Sequence, residues 1–279
     1  MKSLIKFFLL LLISSSLLIS CKNGDKKKEE TVTATKEIKL KEETVSYKID
    51  SLTMNSYIVY DENKEGKRPA ILVIHEWWGL NEYAKRRARM LAELGYIAMA
   101  VDMYGNGQMG NDPKEAEKLA MPFYMNPQLA KARVDSALQI LKKNPNTDET
   151  RTAIIGYCFG GAVAIGAARL GADFDAAVSF HGNLNVVPAN KDLLKAEILV
   201  CHGAADSFVP QSEVDQFKKQ MDSIGARYSF KVYDSATHAF TNPEATALGE
   251  KFKMPIKYNA AADSASWNDM KEFLKRILQ

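Results

Sequence analysis

Apolar and polar positions alternate in blocks along most of the chain. Six runs are almost continuously apolar: "PAILVIHE" (Pro69–Glu76), "YIAMAVDMY" (Tyr96–Tyr104), "RTAIIGY" (Arg151–Tyr157), "FDAAVSFHG" (Phe174–Gly182), "AEILVCHG" (Ala196–Gly203) and "YSFKVYD" (Tyr228–Asp234). Such runs predict strands buried on both faces. Between them the apolar period lengthens to that of helices, over Glu82–Leu94, Pro127–Lys143, Gly161–Leu170, Gln211–Ile224 and Asn259–Leu278. Strands alternating with helices predict an α/β fold, a mostly parallel sheet flanked by helices. Near the start, "TVSYKID" and "TMNSYIVYD" alternate polar with apolar and predict an antiparallel edge hairpin. No internal repeat or interior linker interrupts the pattern, so residues 44–279 read as one domain.

The first 43 residues follow different rules. Lys2 and Lys6 precede "FFLLLLISSSLLIS", an apolar run too short to span a bilayer comfortably, and the run ends in "LISC" (Leu18–Cys21). Residues 1–20 therefore resemble a bacterial lipoprotein signal peptide, with Cys21 as the lipidated first residue of the mature chain. Residues 21–43 mix both charge signs, almost lack aromatics and predict a solvated tether. The expectation is an exported protein, lipid-anchored to a bacterial membrane on its periplasmic face or at the cell surface.

Composition adds limits. The chain has 279 residues, 46% hydrophobic and 25% charged, which is ordinary for a globular core. Its formal charge of +3 falls to +1 without the first 20 residues. A near-neutral domain without a basic stripe excludes nucleic acid as the expected partner. No part of the pattern sets an oligomeric state.

Candidate chemistry sits just after the strands, at the edge where open α/β sheets bind ligands. Glu76 and Trp77 follow the first buried run, Tyr104–Asn106 the second, Cys158 the third, His181 the fourth, Asp206 the fifth and His238 the last. "GYCFG" (Gly156–Gly160) has the form of a G-x-S-x-G nucleophile elbow with Cys in place of Ser. Flanking glycines permit the sharp strand-to-helix turn, and the helix N-terminus favours the reactive thiolate. In such a sheet the chain order is nucleophile, acid, histidine. Of the four histidines, His238 fits that order with Asp206 before it; Asp234 is the alternative acid. His238 is the expected base, and Asp206 the residue that orients its imidazole. The oxyanion hole is expected from the backbone N–H groups of Phe159 and Trp77.

These motifs bring a family into view. "HEWWGL" (His75–Leu80), "VDMYG" (Val101–Gly105), "GYCFGG", "HGAAD" and "HAF" together resemble the dienelactone hydrolase family of α/β-hydrolases. The resemblance runs from about Val45 to Leu278. It implies an α/β-hydrolase fold, an ester- or lactone-hydrolysing activity without a cofactor, and a Cys158–Asp206–His238 triad. It also implies that Glu76 contacts the resting thiol. A nearby carboxylate opposes the helix dipole and keeps the thiol protonated. Trp78, Tyr104, Asn106, His181, Phe240 and Asn242 are the expected pocket residues.

Two positions depart from the family. Members that act on dienelactone hold its carboxylate with two arginines; the matching positions here are Asn106 and Asn242. That change implies neutral substrates. Arg86, Arg87 and Arg133 are the cations that remain in reach of a pocket. The insertion Gly105–Gln128, rich in Met and aromatic residues, reads as pocket wall or lid. The remaining readings are weaker. A redox role lacks a C-x-x-C, a cofactor enzyme lacks a G-x-G-x-x-G after a strand, and no metal-ligand spacing occurs. A catalytically weak ligand-binding lipoprotein on this fold would be marked by a lost triad residue, and all three are present. Cys158 and Cys201 are expected as free thiols, because an intervening strand sets them beyond bridging distance.

Overall fold

The structure, a computed structural model, describes residues 37–279. The signal peptide, Cys21 and most of the expected tether lie outside the described residues.

Eight strands form one sheet in the order β1-β2-β4-β3-β5-β6-β7-β8. β1 (Leu40–Ile49) and β2 (Leu52–Asp61) form the expected antiparallel hairpin at one edge, and β2 pairs antiparallel with β4 (Ile97–Val101). β1 begins at Leu40, so the last four residues assigned to the tether belong to the sheet. Every other pairing is parallel, through β3 (Arg68–Ile74), β5 (Thr147–Tyr157), β6 (Ala176–Phe180), β7 (Glu197–Gly203) and β8 (Tyr228–Tyr233).

The apolar runs became strands because helices cover both faces. β3, β4, β6 and β7 are buried at every residue. One apolar layer packs Leu72, Ile74, Ile154 and Val200 against α3 (Pro127–Lys142), α4 (Phe159–Arg169) and α5 (Gln211–Ser223). The other packs Ile71, Val73, Ile155 and Val178 against α1 (Glu82–Glu93) and the C-terminal α7 (Ala260–Leu278). Alternate residues of one strand thus enter opposite layers, as the two-residue period of a strand requires. Helix starts follow local chemistry: Asn81 caps α1 by accepting from Ala84 N, and Asn259 caps α7 by accepting from Ala262 N.

Two helices depart from the expected plan. α2 (Pro113–Met125) lies inside the insertion, capped by Asp112, with a proline at its start and Pro122 within it. α6 (Ala245–Phe252) follows the last strand's long loop. Both flank the site described next. None of the described helices is long and apolar enough to cross a membrane.

Candidate active site

The elbow is present. β5 ends at Tyr157, Cys158 takes φ 54° and ψ −117°, and α4 begins at Phe159. A positive φ at a non-glycine residue is strained. The surroundings hold it there: Cys158 N–H donates to Phe180 O at 3.0 Å and to His181 Nδ1 at 3.1 Å. The glycines serve close approach. A Cβ on Gly156 would lie 1.8 Å from Gly160 O, and one on Gly160 would lie 2.3 Å from Ile74 O. Only glycine lets the elbow fold back on itself and seat against the end of β3.

His238 sits in the loop after β8, and its Nδ1 meets Asp206 Oδ2 at 2.9 Å. Asp206 Oδ1 accepts from the N–H groups of Phe208 (2.9 Å) and Val209 (3.3 Å), which fixes the carboxylate. Burial disfavours a charged His238 ring, but Cys158 and Asp206 outweigh it and push the pKa well above the ordinary value. Asp234 is exposed and makes no hydrogen bond to His238, so Asp206 is the acid paired with the ring.

The other histidines are committed elsewhere. His181 Nδ1 accepts from a backbone N–H, so its proton resides on Nε2, which meets Thr241 Oγ1 at 2.8 Å. Burial drives its pKa well down and keeps it neutral. His75 Nδ1 meets Glu76 O at 2.5 Å, and burial lowers its pKa to about 4. Burial also lowers His202, whose ring lies 5.7 Å from that of Phe230.

A cavity of about 220 Å³ opens over Cys158 and His238. Glu76, Trp77, Trp78 and Asn242 line it at the sheet edge; Glu117, Ala120, Met121 and Tyr124 of α2 form one wall. Ala245 and Leu248 of α6, with Met254 and Ile256, form another, and Phe208, Asn183 and Ala239 complete the lining. The insertion is therefore a pocket wall, and α2 also sends Ala120 and Phe123 into the core.

Of the expected pocket residues, Trp78 and Asn242 line the cavity. Tyr104, His181 and Phe240 are buried behind it: Tyr104 O–H donates to Trp77 O at 2.9 Å, and Phe240 packs its ring 5.3 Å from His181. Asn106 is a correction. It is exposed, its Oδ1 accepts from Thr53 N, and its N–H donates to Thr53 O at 2.6 Å. It closes the loop after β4 onto the edge hairpin and does not line the cavity. Sequence reading passed over Leu248, Met254, Ile256 and Phe208. Ala245, Leu248 and Phe252 do follow helical spacing after Pro243, a signal too short to stand alone.

Glu76 is almost fully buried, at 3% exposure. Burial raises its pKa to about 7, against the lowering effect of a hydrogen bond from Asn242 Nδ2 at 2.7 Å. Asn242 Oδ1 in turn accepts from Glu244 N at 3.0 Å, which fixes the amide's orientation. The hydrogen bond to this carboxyl thus comes from Asn242, not from the Cys158 thiol, as the resemblance implied. No Lys or Arg lines the cavity. Arg87 is tied to Asp263 and donates to Thr241 O at 2.6 Å, stiffening the His238 loop from behind. Arg86 and Arg133 do not line the cavity either. Cys158, just after β5, and Cys201, on β7, are free thiols, with β6 between the two strands.

An elbow between strand and helix, an acid after β7 and a histidine after β8, on one edge of a mostly parallel sheet, define the α/β-hydrolase fold. Residues 54–278 match the model of the dienelactone hydrolase family, and the chain belongs to that family. It is 31% identical over 179 residues to a "Putative carboxymethylenebutenolidase" of Aquifex aeolicus, covering 62% of this chain and 77% of that protein. A protein of the same name from Escherichia coli K12 is 26% identical, over 80% of this chain and 82% of its own length. Among solved structures, a dienelactone hydrolase-like promiscuous phosphotriesterase from metagenomic libraries superimposes with a TM-score of 0.81. It is 31% identical, over 86% of this chain and 99% of that one.

Proposed function

We propose that the protein hydrolyses neutral carboxylic esters or lactones through an acyl-enzyme on Cys158. The Asp206–His238 hydrogen bond, with His238 facing Cys158 across the cavity, carries this reading. With Nδ1 held by Asp206, Nε2 of His238 is left to meet the Cys158 thiol. The raised pKa of the ring favours holding the thiol proton there while Sγ, as thiolate, attacks the substrate carbonyl. The carbonyl oxygen becomes an oxyanion and accepts from the N–H groups of Phe159 and Trp77, neither of which donates to a protein acceptor among the described residues. Collapse breaks the C–O bond, and His238 returns the proton to the leaving alkoxide. A water activated by His238 then attacks the thioester, releasing the acid and restoring the thiol.

The substrate class follows from the lining. The relatives' printed name denotes action on a carboxymethylene-substituted butenolide, a lactone that carries a carboxylate. Here the cavity has two acidic residues, Glu76 and Glu117, and no Lys or Arg. A buried, unpaired substrate carboxylate would cost several kcal/mol, whereas a neutral ester or lactone meets only apolar walls and hydrogen-bonding groups. Incubation with a slowly deacylating ester followed by mass spectrometry tests the mechanism: acyl mass is expected on the peptide containing Cys158. Full activity in Cys158→Ala would refute it. We further propose that Cys21 carries a lipid anchor holding the domain at a bacterial membrane, on the strength of the lipobox-like "LISC".

A further inference from the structure

The role of Trp77 depends on where its N–H points, and that direction is set by the peptide unit it shares with Glu76. A peptide unit is planar, and its C=O and N–H point in opposite directions. The Glu76 carbonyl is held by two donors, His75 Nδ1 at 2.5 Å and Gly79 N at 3.2 Å. The next carbonyl, of Trp77, is held by the Tyr104 hydroxyl at 2.9 Å. Three donors therefore fix a two-residue stretch that belongs to no helix or strand.

His75 is itself immobilised. It is fully buried, its ring lies 4.8 Å from that of Tyr104 and 5.8 Å from that of Phe159, and its Nε2 accepts from Met103 N at 3.4 Å. A carbonyl can only accept, so Nδ1 carries the proton, and the neutral ring is locked in one tautomer. The burial that lowers its pKa to about 4 keeps it so across the working pH range. The elbow packs on the same place: a Cβ at Gly160 would lie 2.7 Å from His75 O. His75 thus touches the backbone that presents one proposed oxyanion donor and the ring of the residue that presents the other.

We propose that His75 is a positioning residue for ester hydrolysis: its Nδ1–H clamps the Glu76 carbonyl so that the Trp77 N–H is aimed at the oxyanion. This rests on the functional reading above. It differs from a general structural role in one respect. The Nδ1 donor matters to the reaction, and the ring's bulk alone does not.

The experiment uses three variants and p-nitrophenyl butyrate as the neutral ester. His75→Asn places an amide N–H where Nδ1 stands. His75→Gln places it near Nε2. His75→Leu removes it. Loss of one oxyanion donor lowers kcat by about 10²–10³-fold, and misaiming one should lower it by roughly 10–100-fold. We expect that loss in the Leu and Gln variants, with KM changed by less than about threefold, and recovery to within about fivefold of wild type in Asn. Alkylation of Cys158 by iodoacetamide needs the nucleophile but no oxyanion hole, so its rate should match wild type in all three. Butyraldehyde, whose thiohemiacetal oxygen occupies the oxyanion position, should bind less tightly in step with kcat. If the Leu variant does not fold, Asn against Gln decides the matter.

Equal kcat in Asn and Gln overturns the proposal. So does alkylation falling in proportion to ester turnover, which would make His75 a support of the elbow. So does kcat within twofold of wild type throughout. Ester hydrolysis by wild type that survives Cys158→Ala would instead overturn the functional reading, and this inference with it.

Discussion

Charge selection in the cavity should be adjustable at two residues. At pH 8 Glu76, with its pKa near 7, is mainly ionised. No Lys or Arg lines the cavity, so the His238 ring is its one basic side chain, and Glu76 and Glu117 both oppose a substrate carboxylate. Asn242→Arg places a guanidinium where an amide now donates to Glu76 at 2.7 Å. It brings the Glu76 and residue-242 pair from one negative charge to none. Combining it with Glu76→Gln takes the pair to one positive charge. A unit charge ~5 Å away at an effective dielectric of about 20 is worth about 3 kcal/mol. The cavity is open to solvent on one side, and screening reduces that to about 1.4 kcal/mol per step, a factor of ten.

The assay compares kcat/KM for a neutral ester and its carboxylate analogue with the same leaving group, so that any general loss of activity cancels in the ratio. The carboxylate-to-neutral ratio should rise about tenfold in Asn242→Arg and about a hundredfold in the double variant. Asn106→Arg should leave it unchanged, because Asn106 lies in the loop after β4, latched to the edge hairpin and outside the cavity. A wild type that already prefers the carboxylate tenfold would mean that an unrecognised cation reaches the substrate. A double variant with the wild-type ratio would mean that Glu76 and Asn242 do not face the substrate's charged end.

Three further outcomes are expected. The carboxyl of Glu76 has a folded-state pKa raised from 4.5 to about 7, so its stability contribution is fully present below 4.5 and is lost as pH rises through 7. Glu76→Gln, which keeps an acceptor for Asn242, should therefore be more stable than wild type at pH 8, by about 3 kcal/mol, with no gain at pH 4; equal melting temperatures at pH 8 would argue against an ionised buried carboxylate. Denatured without reductant, the domain from residue 37 onward should expose two reactive thiols, from Cys158 and Cys201; none would mean a disulfide. The full chain made in a bacterium should partition into the detergent phase of a Triton X-114 extract, and Cys21→Ala should move it to the aqueous phase. An unchanged distribution counts against lipidation.

The sheet was legible because burial on both faces leaves an apolar run that few other structures produce. The same pattern located the catalytic candidates, since every strand of the parallel set ends at one edge. Cys158 was readable from its glycines alone: Gly156 and Gly160 are required by contacts of 1.8 and 2.3 Å that any Cβ would make. α2 and α6 were less legible. Each is an amphipathic element that divides its apolar positions between the core and the cavity, so neither stripe is long. In α2 the internal Pro122 also reads as a breaker.

The two asparagines separate what alignment with a motif can and cannot deliver. Both occupy positions that bear arginine in members of the family acting on dienelactone, and by that criterion they are equivalent. In three dimensions they are not. Asn242 follows His238 by four residues within one tight loop, so placing the base also places the amide, and it lines the cavity. Asn106 sits beyond the end of β4, where the next strand of the sheet is the antiparallel β2. Its positive φ of 55° and its two hydrogen bonds to Thr53 bind it to that hairpin. Backbone position, fixed by those bonds to the hairpin, keeps residue 106 out of the site. In this chain the short amide works as a structural latch, which leaves residue 242 alone to set the charge beside Glu76.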